Sequence, residues 1–346
     1  MKVLYILAAI LGFGFLIFIH ELGHYLMARL FRVTINEFAI GMGPRLFWYE
    51  SKKTHTVYSL RMFPIGGFVS MAGEDDESED PNAFHTKAAW KRFLITAAGA
   101  AMNLLLGFLL MFIIICNTRL FSTTVRGFYR QEDTGFSVTT YGTLQAGDEL
   151  IRVNGRRVYI YYDIAYEVAH SGTRPLEVEL IRNGERMTLM VEFPVVEQQD
   201  MYFGQVDFAT EEESRNPLSC ARHAFHYSTA TMRMIWDSLF DLLRGRYGME
   251  AVSGPVGVAG AMTEAASAGI IDYLFLLVVL SINLGMFNLL PIPALDGGRL
   301  LFLLIEMIAR RPVPQKYEAM VHFIGMLLLL GLVLVITFKD IVTLFR

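Results

Sequence analysis

Four stretches of this chain are long and apolar enough to cross a bilayer, which takes about 20 residues. They are Val3 to about Ala28, Phe93 to Cys116, Tyr273 to Leu295 and Ala319 to Phe338. Inside hydrocarbon every backbone polar group must find an internal partner, so each stretch is read as a helix. With 53% hydrophobic and 18% charged residues among 346, the chain suits a membrane protein carrying a modest soluble part. A net charge of −4 gives no reason to expect nucleic acid. Lys2 and the apolar run after it mimic a signal peptide, but no small-x-small cleavage site follows, and the run is read as a retained helix.

The loops orient the spans. Arg29, Arg32, Arg45, Lys52, Lys53, Arg61, Lys87, Lys91 and Arg92 lie between the first two, and Arg299, Arg310, Arg311 and Lys316 between the last two. Short Lys/Arg-rich loops stay cytoplasmic, which puts both termini and the long segment 119–270 on the extracytoplasmic side.

The first span carries His20-Glu21-Leu22-Gly23-His24 inside an otherwise uncharged run. Residues four apart on a helix are offset by about 40° and about 6 Å, so His20 and His24 can share one metal ion. Glu21 stands beside them as a base for a water held by that ion. An ionisable group in hydrocarbon is costly and by default functional. The competing reading is a pair of satisfied helix histidines.

A catalytic zinc takes three protein ligands and leaves one position for water. A third ligand is offered by Asp296, at the end of Asn288-Leu289-Leu290-Pro291-Ile292-Pro293-Ala294-Leu295-Asp296-Gly297-Gly298. The prolines break the helix there, and irregular backbone at membrane depth is tolerated only where it lines a protein cavity. If four helices alternate, spans one and three run the same way, and both motifs arrive toward the cytoplasmic side. A plain turn carboxylate at the interface is the alternative for Asp296.

Between the first two spans, residues 33–72 alternate rather than follow a helical period. Gly43-Pro44, Pro64 and Gly66-Gly67 punctuate short strands, giving either an ordinary loop or a small sheet that dips toward the membrane and offers an edge to an extended peptide. The acidic run Glu74 to Asp80 reads as a solvated loop. Residues 119–200 read as one small α+β module, with a type I′ turn at Asn183-Gly184 and a helix from Tyr161 to His170. Residues 215–245 form an amphipathic helix within a connecting region 201–270, lying on lipid or packed on the module. Cys116 and Cys220 are read as packing residues. His55, His85, His170, His223, His226 and His322 lack ligand spacing and are read as surface or packing residues. Asn103, polar within the second span, is read as facing the bundle, where it serves only as a helix–helix hydrogen bond.

Taken together, His20 to His24, Gly41-Met42-Gly43-Pro44, Gly67-Phe68-Val69-Ser70-Met71, Ser253-Gly254-Pro255-Val256-Gly257 and Asn288 to Gly298 resemble the bacterial site-2 proteases, in particular the regulator of sigma-E protease group. The resemblance covers nearly the whole chain. It implies an intramembrane zinc metalloprotease with one Zn2+ per chain, held by His20, His24 and Asp296, with Glu21 as general base. It implies that Asn288, with Pro291 and Pro293 in the same segment, and the strand Gly67, Phe68, Val69, Ser70 and Met71 contact substrate. The 119–200 module is similar to a PDZ domain. The implied fold is an α-helical membrane protein of four transmembrane helices: an N-terminal core 1–118, with a membrane-associated β-hairpin or sheet after helix 1, and a C-terminal core 271–346. One extracytoplasmic PDZ-like domain lies between helices 2 and 3. The implied setting is the bacterial cytoplasmic (inner) membrane, and the partners are lipid bilayer and single-pass membrane proteins, such as anti-sigma factors, or signal-peptide remnants.

The chain departs from that pattern at Ala100, since many members of the family it resembles carry Gly-Pro at the positions of Gly99-Ala100, and its module has no clear carboxylate-binding loop. Peptide capture and a steric filter both remain open for it. The alternative to the enzyme is a non-catalytic membrane scaffold with a peptide-binding module. A metal transporter would need a polar path across the whole bilayer.

Overall fold

The computed structural model describes residues 2–74, 78–130, 132, 138–198, 201–245 and 252–344, so residues 75–77 of the acidic run lie outside the described residues. The chain divides into two compact units, Met1–Leu110 with Met234–Arg346, and Met111–Arg233.

The first unit holds α1 (Lys2–Leu30), most of α2 (Ala89–Asn117), α5 (Pro255–Ala268), α6 (Ile270–Leu289), α7 (Asp296–Ala309) and α8 (Gln315–Leu344). Four helical segments are long and apolar enough to span a bilayer: Val3–Leu30, Ala89–Asn117, Ile270–Leu289 and Lys316–Thr343. Small residues bring them close, as is usual where lipid supplies no hydrophobic drive. A Cβ on Gly23 of α1 would lie 2.3 Å from the Ala98 carbonyl of α2, and one on Gly285 of α6 would lie 2.9 Å from the Ala100 carbonyl.

The third span ends at Leu289, short of Leu295 where the sequence reading closes it. Pro291 and Pro293 lack N–H groups and bar helical geometry from the residues before them, so Leu290 is extended. Ala294, after the second proline, has a φ of 72°. A new helix, α7, then starts at Asp296. A carboxylate in the first turn favours that start by meeting the positive end of the helix dipole. Gly297 is required: a Cβ there would stand 1.8 Å from the Leu290 carbonyl oxygen.

Between α1 and α2, β1 (Ile35–Glu50) and β2 (Val57–Met71) pair as an antiparallel hairpin that folds back on itself. Residues 37–40 of β1 sit opposite both 67–70 and 57–60 of β2, and the second register advances along both segments together. Two long strands thus make a four-stranded sheet in the order 67–71, 35–42, 57–63, 45–50. The bends fall at Gly41 and Gly43 (φ 88° and 85°) and at Gly66 (φ 90°). The outcome is that 67–71 is an edge. Its inner neighbour is braced by the nearly buried Glu37, which accepts hydrogen bonds from Arg45 Nη2 (2.5 Å), Ser59 Oγ (2.5 Å) and Arg61 Nη2 (2.8 Å). Burial pushes the Glu37 carboxyl up, but these donors win and hold it down at about 2. Tyr25, Ala28, Phe38, Met71 and Ile95 pack the sheet to α1 and α2.

The second unit is an α+β module. Its sheet runs β10 (Phe208–Glu213), β3 (Leu120–Phe128), β4 (Glu149–Val153), β6 (Leu176–Arg182) and β7 (Glu185–Val191), with β5 (Arg156–Arg157) also paired to β4. Asn183 and Gly184 both have positive φ, as a type I′ turn requires, and join β6 to β7. The sheet continues past residue 200, where the sequence reading closes the module, because β10 returns to pair with β3. Helix α3 (Tyr161–Ser171) buries Ile164 and Val168 in the core with Val125, Leu150, Val178 and Phe208. A small hairpin, β8 (Val195–Gln198) with β9 (Met201–Gly204), lies on α3 so closely that a Cβ on Gly204 would stand 2.3 Å from the Val168 carbonyl. Helix α4 (Pro217–Leu243) follows and falls within the predicted amphipathic stretch 215–245.

Candidate metal centre

His20 and His24 face inward from α1, 7% and 9% exposed, and Asp296 meets them from the first turn of α7. One ligand atom from each lies within 4.8 Å of the other two. The His20 and His24 Nε2 atoms are 3.2 Å apart, and Asp296 Oδ2 is 3.0 Å from the first and 3.3 Å from the second.

Hydrogen bonding on the far side of each ring decides what these atoms can do. His24 Nδ1 lies 2.9 Å from the Ile95 carbonyl, which can only accept, so Nδ1 carries a proton and Nε2 is the atom that would present a lone pair to a metal ion. Asn103 of α2, fully buried, places its amide 3.2 Å from His20 Nδ1. Its Oδ1 is buried without a partner, and turning the amide over lets Oδ1 accept from Nδ1–H, which fixes the same tautomer in His20. Two imidazole lone pairs and a carboxylate then point at one another. Asp296 Oδ2 is itself buried with no well-aligned hydrogen bond. Such a set repels itself unless a proton or a metal cation is shared among the three atoms. Two imidazoles and one carboxylate are the donors of a catalytic zinc site with one position left for water, so the residues fit that ion.

Gly99 leaves room for the arrangement. A Cβ on Gly99 of α2 would lie 2.4 Å from His24 Nε2 and 2.8 Å from His20 Cε1. Gly99→Ala is therefore expected to tilt one ring and to lower zinc content and proteolysis together, by about 10-fold or more. Metal analysis and a cleavage assay on the purified variant check this; normal zinc in the variant would count against the packing argument. Gly67 of the edge strand sits over Glu21, where a Cβ would be 3.5 Å from Glu21 Cγ. The Glu21 carboxylate faces His20, His24, Asp296 and the Val69 backbone amide.

Other predicted site residues are placed as follows. Asn288 is buried, one residue before the end of α6. Pro291 is exposed. Pro293 packs on α8, where a Cβ on Gly325 would touch its Cβ at 2.3 Å. Phe68 carries the Arg61 guanidinium 4.8 Å above its ring. Asn103 makes the helix–helix hydrogen bond read for it, and what the sequence left out is that its partner is His20. Two contributors were missed, and Gly99 signalled itself only as part of a Gly-Ala pair. His322, read as a surface or packing residue, accepts the Ala294 amide at 3.0 Å and so steadies the loop ahead of Asp296. Its spacing gave no hint of that.

The peptidase family M50 model matches residues 8–332. A Clostridium perfringens protein whose name assigns it provisionally to the zinc metalloproteases is 35% identical over 98% of this chain and 99% of its own length. The zinc metalloprotease RasP of Bacillus licheniformis and the regulator of sigma-W protease RasP of Bacillus subtilis are each 30% identical, again over 98% of this chain and 99% of theirs. The chain therefore belongs to peptidase family M50, the site-2 type of intramembrane zinc metalloprotease.

Proposed function

We propose that His20, His24 and Asp296 hold the zinc, that Glu21 is the general base, and that the bond cut lies in or near a membrane segment of the substrate. The observation that carries this is the buried meeting of two imidazole lone pairs and a carboxylate from elements far apart in sequence, with Glu21 beside them. The zinc supplies Lewis acidity, polarising the scissile carbonyl and acidifying water toward a pKa of about 7. Glu21 accepts the proton of the attacking water and returns it to the leaving amine.

A helical substrate hides its carbonyls in its own hydrogen bonds, so it must unwind before it reacts. The edge 67–71 offers backbone partners for the unwound segment. Along an antiparallel edge the amides facing out alternate with those bonded inward. Since Val69 faces Glu21, Gly67, Val69 and Met71 form the outward set, which would run the substrate backbone past the base. Asn288, Pro291 and Pro293 shape the far wall. Exposed Phe47, Trp48 and Tyr49 on the opposite edge suit a lipid interface. The basic loops favour a cytoplasmic hairpin and an extracytoplasmic PDZ-like module in the cytoplasmic membrane. By analogy with the sigma-W protease name, membrane-bound regulators are the leading substrate class, with signal-peptide remnants the second.

The module's part is exclusion. Where β9 lies against α3, Gly204 is already in contact with the helix backbone, which leaves no slot there for a peptide strand. Replacing 119–214, rather than stopping at 200, by a Gly/Ser linker is expected to keep zinc and hydrolysis and to let substrates with large ectodomains be cut early. The assay compares a full-length substrate with its trimmed stub in one membrane preparation. A deletion enzyme that binds zinc yet fails on the stub would make the module part of productive binding.

A further inference from the structure

Asp296 opens α7, and the two residues after it are glycines with no side chain to hold the turn in place. Arg299, about 4.5 Å further along the helix, is the first side chain that can. Its Nη1 donates to Glu74 Oε1, and its Nε lies 3.8 Å from Glu318 Oε1 at the start of α8. Glu74 stands just beyond Met71, the last residue of the edge strand. The stretch between them is fixed: the Ala72 amide donates to the Thr34 carbonyl (3.0 Å), and the Phe84 amide to the Ala72 carbonyl (2.7 Å). Gly73, at φ 68°, lies against the His85 ring. Glu318 is one turn from His322, which accepts the Ala294 amide two residues ahead of Asp296. These groups line a cavity of about 430 Å³ rather than a packed core. Part-exposed ion pairs add little to stability, so this one is better explained by the geometry it sets.

We propose that Arg299 is a positioning residue, tying the end of the substrate-pairing strand to the helix that carries Asp296, so that a substrate drawn onto the strand also sets the carboxylate opposite His20 and His24. The inference rests on the reading of 67–71 as the substrate edge and of Asp296 as a zinc ligand. Misplacing a reacting group by about 1 Å costs up to about 100-fold. Arg299→Gln and Glu74→Gln are each expected to lower kcat per bound zinc about 10-fold or more, with KM and Tm nearly unchanged.

The test uses purified full-length enzyme in proteoliposomes with a quenched fluorogenic single-span peptide, reading kcat, KM, zinc per chain and Tm. The double variant should be no worse than Arg299→Gln alone, since one tie has been cut, and Arg299→Lys should recover most of the rate. Wild-type kcat in Arg299→Gln, losses that multiply in the double variant, or a fall in Tm that matches the fall in rate would each overturn the proposal. Failure of the underlying reading is separately visible, because Asp296→Asn in otherwise unaltered enzyme would then leave zinc per chain unchanged.

Discussion

Glu21→Gln is expected to abolish peptide-bond hydrolysis while leaving zinc bound. The amide keeps the shape of the side chain and lies outside the proposed ligand set, so the His20, His24 and Asp296 atoms should stay within their 4.8 Å of one another. What it loses is the capacity to accept the proton of water, a contribution of about 10²- to 10⁴-fold. A cleavage assay in proteoliposomes and metal analysis of the same sample check both halves. Full activity in the variant would remove Glu21 from the chemistry, and lost zinc would move it into the ligand set.

Asp296→Asn is expected to lower zinc occupancy and activity together. A neutral amide is a poorer zinc ligand than a carboxylate, and the two imidazole lone pairs cannot hold the ion as tightly alone. Gly297 and Gly298 still fit against the backbone of Leu290 and Ile292 in that variant, so α7 should form and the loss should be confined to the metal. Zinc affinity should fall by at least the 10- to 100-fold usual for losing a mere supporting partner, about 1.4 to 2.7 kcal/mol. Unchanged occupancy and tight retention against a chelator would take Asp296 out of the coordination sphere. The comparison with Glu21→Gln matters, because one variant separates zinc from activity and the other links them.

Much of this site was legible in the sequence because membranes make polar residues conspicuous. His20, Glu21 and His24 interrupt an apolar run, and Pro291 and Pro293 interrupt another, so each had to be explained by something inside the protein. The pairing of the two motifs followed from counting spans. Less could be read where the cause was tertiary. That α7 begins at Asp296 depends on Gly297 and Gly298 fitting against the backbone of Leu290 and Ile292, a contact no local pattern records. The doubled register of β1 and β2 was foreshadowed by Gly43-Pro44 and Gly66, which mark the bends, but not which segments would meet across them. The module's last strand, Phe208–Glu213, carries three consecutive glutamates and lacks the alternation that identified β6 and β7. Only its pairing with β3 makes it a strand. Asn103 and His322 act through partners 83 and 28 residues away, beyond the reach of any spacing rule.

The central claim is that one zinc sits between α1 and α7 on two imidazoles and one carboxylate. Zinc K-edge X-ray absorption on the reconstituted full-length protein tests it most directly. The account predicts two imidazole nitrogens and low-Z oxygen scatterers at about 2.0–2.2 Å, no sulfur, and loss of an oxygen scatterer in Asp296→Asn. A sulfur shell at about 2.3 Å, or a spectrum unchanged by Asp296→Asn, would contradict it.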